Sequence, residues 1–157
     1  SAYLRYFIAD IAAAFGAEAR HVLSKSVCLS ADVNAGFDPV YPEVLEPRNC
    51  AYLNRGVVLT KYTGSKGKSG TSDASAEFMG FVRRLMDGAG VSWQIGELGK
   101  VDMGGGGTVA MYIANLDVDT VDLGVPVLSM HAPFEVVSKI DVYMAHRAFS
   151  ALMGRNV

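Results

Sequence analysis

Val121 to Glu135 reads V-D-L-G-V-P-V-L-S-M-H-A-P-F-E, an apolar run that stops at a histidine. Val121, Leu123, Val125, Val127 and Leu128 have the character of a buried strand, interrupted by Gly124 and Pro126. His131 falls where this strand meets the turn signal Ala132-Pro133. A strand fixes its own backbone, and a turn at its end presents a side chain to whatever lies beyond the sheet. The position therefore suits a ligand histidine, and equally a histidine satisfied within a strand end.

The rest of the chain supplies partners for such a strand. Leu4, Phe7, Ile8, Ile11 and Phe15 recur at helical spacing, with Gly16 as a stop. Val27 to Val33 reads as a short buried strand, and Asn34 to Glu46, with Gly36, Pro39 and Pro42, as loop. Strand character resumes over 49–62, centred on Val57, Val58 and Leu59. The stretch 63–70, rich in Gly, Ser and Lys, predicts an exposed loop. Ser72 and Asp73 are placed to cap a helix carrying Phe78, Val82, Leu85 and Met86, which Gly88 to Gly90 ends. Residues 91–95 alternate like a strand. The run D-M-G-G-G-G-T (102–108) precedes a short helix through Ile113. From about Val136, one face carries Val137, Ile140, Met144, Ala148 and Leu152, up to Gly154. Helices alternating with buried strands predict an α/β fold, a layered sheet flanked by helices. No internal repeat and no interdomain linker interrupts the chain.

Length and composition narrow the function classes. A chain of 157 residues suits one compact domain that buries its own core. A formal net charge of −2 gives no electrostatic footprint for nucleic acid or an anionic membrane surface. No apolar segment approaches the roughly 20 residues that span a bilayer. The N-terminus lacks the basic lead and small-residue cleavage site of a signal peptide. Cys28 and Cys50 form no C-x-x-C pair, and they read as reduced cytosolic thiols rather than a disulfide. Ser1 stands where an initiator methionine is expected, as in a processed or truncated product or after simple methionine removal.

Several residues stand out chemically. Asp32 lies inside V-C-L-S-A-D-V-N-A-G, and a buried carboxylate needs a partner or a metal. It reads either as a metal ligand or as a strand-end cap. Glycines 104 to 107 lack the Gly-Lys-Ser/Thr ending of a phosphate loop. They read as a permissive turn, an anion cradle or a place where backbone passes close to another group. Lys61 ends a strand, while Lys66 and Lys68 read as solvated charges. Glu135 is placed either to orient His131 or to favour the start of the last helix. His21 and His146 receive no role.

Read in order, S-A-D-V-N-A-G-F-D-P-V-Y (30–41), G-V-V-L-T-K (56–61), V-D-M-G-G-G-G-T-V-A (101–110) and T-V-D-L-G-V-P-V-L-S-M-H-A-P-F-E (120–135) resemble one family. It is the aspartyl aminopeptidase family, metallopeptidase family eighteen, in its bacterial branch. The resemblance implies a zinc-aminopeptidase fold of the phosphorylase/hydrolase-like type, with residues 1–157 forming the C-terminal portion of the catalytic domain. It implies two zinc ions per complete site, with cobalt or manganese as alternatives, held by two His, two Asp and a Glu. Asp32 matches a terminal ligand of one ion and borders the substrate. His131 matches a ligand of the other, and Lys61 matches a lysine that contacts substrate. The remaining ligands and the general-base glutamate belong to an upstream half that this chain does not contain. The family pattern has a histidine where this chain has Ala35, and an Arg-Tyr pair where residues 65–69 read Ser-Lys-Gly-Lys-Ser. Both departures touch substrate contacts and put an acidic N-terminal preference in doubt. Peptide substrates, the upstream half, a tetrahedral homo-dodecamer and a cytoplasmic location follow from the resemblance. The competing expectation is a stand-alone α/β binding or scaffold module that kept the fold and lost catalysis.

Overall fold

The apolar run folds as two strands that belong to different sheets. In the computed structural model, which describes residues 2–66 and 68–155, these are β5 (Asp119–Gly124) and β6 (Pro126–Leu128). Ser1 and Gly67, which fall in the expected N-terminal start and the expected loop, lie outside the described residues, as do 156–157. The first sheet has the order β1 (Val27–Ser30), β5, β3 (Val57–Thr60), β4 (Trp93–Ile95), and the second β2 (Asn34–Ala35), β6, β7 (Val136–Val137). β1 runs parallel to β5, with Ser30 opposite Asp122, and β2 runs parallel to β6, with Asn34 opposite Pro126. One register therefore carries through both sheets, and the two segments form a single bent parallel pair. The bend requires glycine: a Cβ on Gly124 would lie 1.8 Å from the Asp32 carbonyl oxygen. β3 is antiparallel to β5 and parallel to β4.

Alternation along β5 separates the faces. Val121 and Leu123 point into the main core with Leu29, Val57 and Leu59. Helices α3 (Ala76–Gly88) and α5 (Lys139–Met153) cover that core through Phe78, Val82, Met86 and Ala148. Thr120 and Asp122 take the other face, where α4 (Ala110–Ala114) packs on β5. The cap of α3 is Ser75, whose side chain accepts from the Phe78 N–H at 3.1 Å. Ser72 and Asp73 do not cap it, because Ala74 donates its N–H to the Lys61 carbonyl and holds the chain extended there.

Two further expectations shift. The last helix starts at Lys139 under a Ser138 cap, since Val136 and Val137 pair with β6. Its Asp141 is wholly buried and accepts from the N–H groups of Asn54 and Gly56, each at 2.8 Å. That acceptor pins α5 to the turn leading into β3. The N-terminal helix α1 (Ala2–Ala14) forms as its spacing predicts, but Ala12 is its one buried residue. α2 (Ala19–Leu23), with His21 exposed on it, breaks a stretch the sequence left unassigned. Among the described residues, no helix is long and apolar enough to cross a membrane, and both cysteines are unpaired.

Candidate metal and substrate site

Asp32 sits at the bend, just after β1, with its carbonyl against Gly124. The side chain is half-buried and makes no hydrogen bond or ion pair with another described residue. Its neighbour is a carboxylate that sequence reasoning passed over. Asp122, level with Ser30 across the strand pair, is 4 % exposed. The Thr108 hydroxyl donates to its Oδ2 at 2.8 Å, while Oδ1 is buried without a partner. Burial pushes the Asp122 carboxyl above the usual range, Ser30 and Thr108 pull it back, and Asp32 pushes it up further. Two adjacent carboxylates, one with an orphaned buried oxygen, are a donor set that favours a cation.

His131 lies beyond β6, in the turn that reverses the chain into β7. Its backbone is left-handed, with φ of 66°, and its ring is exposed. Glu135 accepts the His131 N–H at 2.5 Å, so this carboxylate fixes the backbone of the turn rather than the ring or the last helix. β1 and β6 belong to different sheets. The strand beside β6 is β2, the continuation of the segment that carries Asp32. Among the described residues, no three His, Cys, Asp or Glu side chains are grouped to hold a metal ion. Carboxylate and imidazole suit zinc in kind, and the chain by itself offers an incomplete set.

Lys61 follows β3 and forms an ion pair with Asp73. Lys68 is not simply solvated: it pairs with the other oxygen of Asp73 and lies over the Tyr62 ring at 4.8 Å. The two lysines hold the Asp73 carboxyl below its usual range. The loop after Lys61 is less exposed than its composition predicts, because Thr63 and Gly64 are buried. The glycine run covers them. Gly64 donates its N–H to the Gly106 carbonyl at 2.7 Å, and Lys66 to that of Gly104 at 2.9 Å. A Cβ on Gly105 would lie 1.9 Å from the Gly64 carbonyl oxygen. Close backbone passage is thus the role of this glycine, and the approaching group is the chain itself.

Beneath these loops is a pocket of about 280 Å³, and Glu97 lines it. This glutamate, also missed in the sequence, follows β4 and is 8 % exposed. Burial pushes its carboxyl up to about 8; Asp73 adds to the rise, and Lys61 and Lys68 oppose it.

The family model for aminopeptidase I zinc metalloproteases (M18) matches residues 1–153. A probable M18 family aminopeptidase 1 of Clostridium acetobutylicum is 50% identical over 134 residues, which are 85% of this chain and 29% of that protein. The crystal structure of aminopeptidase I from Clostridium acetobutylicum superposes with a TM-score of 0.84 at 49% identity, over 88% of this chain and 30% of that one. An M18 aminopeptidase from Thermotoga maritima gives 0.83 at 44%, over 85% and 30%. The chain thus spans about 30% of the length of these relatives. With its α/β layers and its match over 1–153, the chain belongs to the M18 family of aminopeptidase I zinc metalloproteases.

Proposed function

We propose that this chain supplies part of the dinuclear zinc centre of an aminopeptidase that releases N-terminal residues from peptides. The observation that carries this reading is the half-buried Asp32 beside the buried carboxylate of Asp122, at the bend of a strand pair in a chain matched over 1–153 by the M18 model. Asp32 would hold one ion and His131 the other. When bound, zinc supplies Lewis acidity that polarises a peptide carbonyl and acidifies water. Asp122 backs Asp32, and its link to Thr108 ties the glycine run to the same strand pair. Glu135 keeps the turn that presents the His131 ring. Lys61, paired with Asp73 after β3, would contact the substrate. The general base and the remaining ligands come from the part of the enzyme without a counterpart here. The complete enzyme acts as a homo-oligomer, a tetrahedral dodecamer by its resemblance, in the cytoplasm; exposed apolar side chains such as Phe15, at 84 %, and Phe134, at 87 %, support burial against further protein.

The test is the complete enzyme carrying Asp32→Ala or His131→Ala. Each variant should lose metal and peptidase activity by at least about tenfold, the size seen for damaged metal sites, with little change in thermal unfolding of the metal-free protein. Full metal content with normal turnover in either variant removes that residue from the centre.

A further inference from the structure

Asn34 has no place in the peptidase reading, yet it is enclosed by the fold, at 2 % exposure. Its Nδ2 donates to the Thr60 hydroxyl oxygen at 2.6 Å and to the Gly96 carbonyl at 3.2 Å. A carbonyl only accepts, so the amide nitrogen has to face Gly96, and this fixes the orientation of the carboxamide. Its Oδ1 is then buried without a partner among the described residues. An unmet buried acceptor costs about 1–3 kcal/mol. A side chain that merely filled the core would avoid that cost, so what the Nδ2 holds together calls for a reason.

It joins segments of both sheets. Asn34 opens β2 in the second sheet, whereas Thr60 closes β3 and Gly96 follows β4, both in the first. Within the sheets β2 pairs with β6 and not with β3, so the carboxamide reaches across where no ladder does. Asp32 stands two residues before Asn34, between the register of Ser30 with Asp122 and that of Asn34 with Pro126. Lys61 follows Thr60 directly. Gly96 is a firm third anchor: a Cβ there would lie 2.9 Å from the Val58 Cγ1 and 3.1 Å from the Ala51 Cβ. We propose that Asn34 is a positioning residue, whose carboxamide sets the place of Asp32 relative to Lys61. A metal ligand and a substrate contact on segments of two sheets thereby keep one spacing. The inference rests on the roles given above to Asp32 and Lys61 and adds the residue that relates them.

The test uses the complete enzyme. Asn34→Ala removes the tether, Thr60→Val removes the hydroxyl with little change of shape, and Thr60→Ser keeps the hydroxyl. Zinc affinity, measured by competition with a chelator, should fall about tenfold in Asn34→Ala and Thr60→Val, the lower end for groups that orient metal ligands. Thr60→Ser should stay at the level of the parent. With zinc saturating, kcat/KM for an aminoacyl amide should fall by at least about tenfold in the first two variants, since a displacement of about 1 Å can cost about 100-fold. Combined with Lys61→Met, Thr60→Val should lower kcat/KM no further, because the lysine that it places is gone. A role in packing alone would lower the unfolding temperature and leave zinc affinity and kcat/KM of the folded enzyme unchanged. That result in Thr60→Val would overturn the proposal, and this variant keeps the test decisive if Asn34→Ala folds poorly. An equal loss of kcat/KM with and without Lys61 would overturn it as well. Asp32→Ala that loses zinc, beside a Thr60→Val enzyme with parental zinc affinity and turnover, would overturn the role of Asn34 alone. Asp32→Ala with full zinc content would overturn the metal-site reading and this inference with it.

Discussion

Glu97 and Asp122 share an unusual direction of titration, and it sets a pH dependence. Burial raises the folded-state value of Glu97 from the ordinary 4.5 to about 8, and it raises Asp122 as well. Between 4.5 and about 8, folded Glu97 keeps a proton that the unfolded chain releases. Stability from this group is therefore complete below the unfolded value, falls as pH rises through the interval, and levels off above the folded value. Asp73 has the opposite sign, but it is exposed enough for solvent to screen its ion pairs. Glu97→Gln should thus leave stability near that of the parent at pH 5 and exceed it at pH 8, by up to a few kcal/mol at about 1.4 kcal/mol per unit. Thermal unfolding of both proteins at the two pH values checks this; a constant difference would show that Glu97 does not carry the effect. The two residues were not equally legible. Asp122, between Val121 and Leu123, is open to the argument that singled out Asp32: a charge inside a buried strand needs a reason. Glu97 sits in G-E-L-G, which reads as an ordinary turn. Its burial comes from Asn49 and from the glycine run lying close in space, and local sequence does not encode that closeness.

Elements were legible where period and caps agreed. α3, with Phe78, Val82 and Met86 on one face and Gly88 to Gly90 at its end, keeps its pattern and its stop, although it starts under Ser75 rather than Ser72 or Asp73. β3 is buried throughout, as an unbroken Val-Val-Leu run implies. Failures came where a long-range contact outranked the local signal. Val136 and Val137 fit the face of a following helix, yet β6 has an open edge and takes them as β7. Val121 to Leu128 reads as one strand, but the packing of Asp32 against Gly124 bends it between two sheets. Two predictions belong to these junctions. Gly124→Ala sets a Cβ into the Asp32 carbonyl, so either the strand pair or Asp32 must move. The variant should lose stability and, in the complete enzyme, metal affinity together, whereas a substitution that harmed only packing would leave the metal affinity of the folded fraction unchanged. Asp141→Ala strips two buried N–H groups of their acceptor. The cost should be about 2–4 kcal/mol, from two hydrogen bonds to a charged acceptor. Amide hydrogen exchange should quicken at Asn54 and Gly56 ahead of the core of α3; uniform quickening would mean that the junction is not a local staple.

At the scale of the whole molecule, both the proposed centre and the exposed apolar surface call for further protein. In the proposed centre Asp32 and His131 would give at most one ligand to each ion, while a stable zinc site needs about four, or three plus water. No described group of three ligand-type side chains makes up the deficit. The surface tells the same story. α1 buries Ala12 alone, and Tyr3, Tyr6, Phe7, Ile11 and Phe15 stand exposed along it. Phe134, Val136 and Val137 lie open beside His131. An amphipathic helix with its apolar side in water gains little from folding by itself, so these residues mark where more protein would pack. The relatives are about three times longer than the stretch they share with this chain. The chain alone should therefore bind zinc weakly and hydrolyse nothing. Mixed with the upstream portion of the enzyme as a separate polypeptide, it should form a complex, protect the amides of α1 from exchange, and gain both tight zinc binding and hydrolysis of aminoacyl amides. Complex formation and the protection of α1 test the docking surface, whereas metal content and turnover test the shared centre. Activity of the isolated chain with added zinc, cobalt or manganese would refute the split centre. A complex that forms and binds zinc equally well with Asp32→Ala and His131→Ala would show that the ligands lie elsewhere. With the parent chain active on mixing and both variants docked but inert, the two portions would be shown to build one site between them.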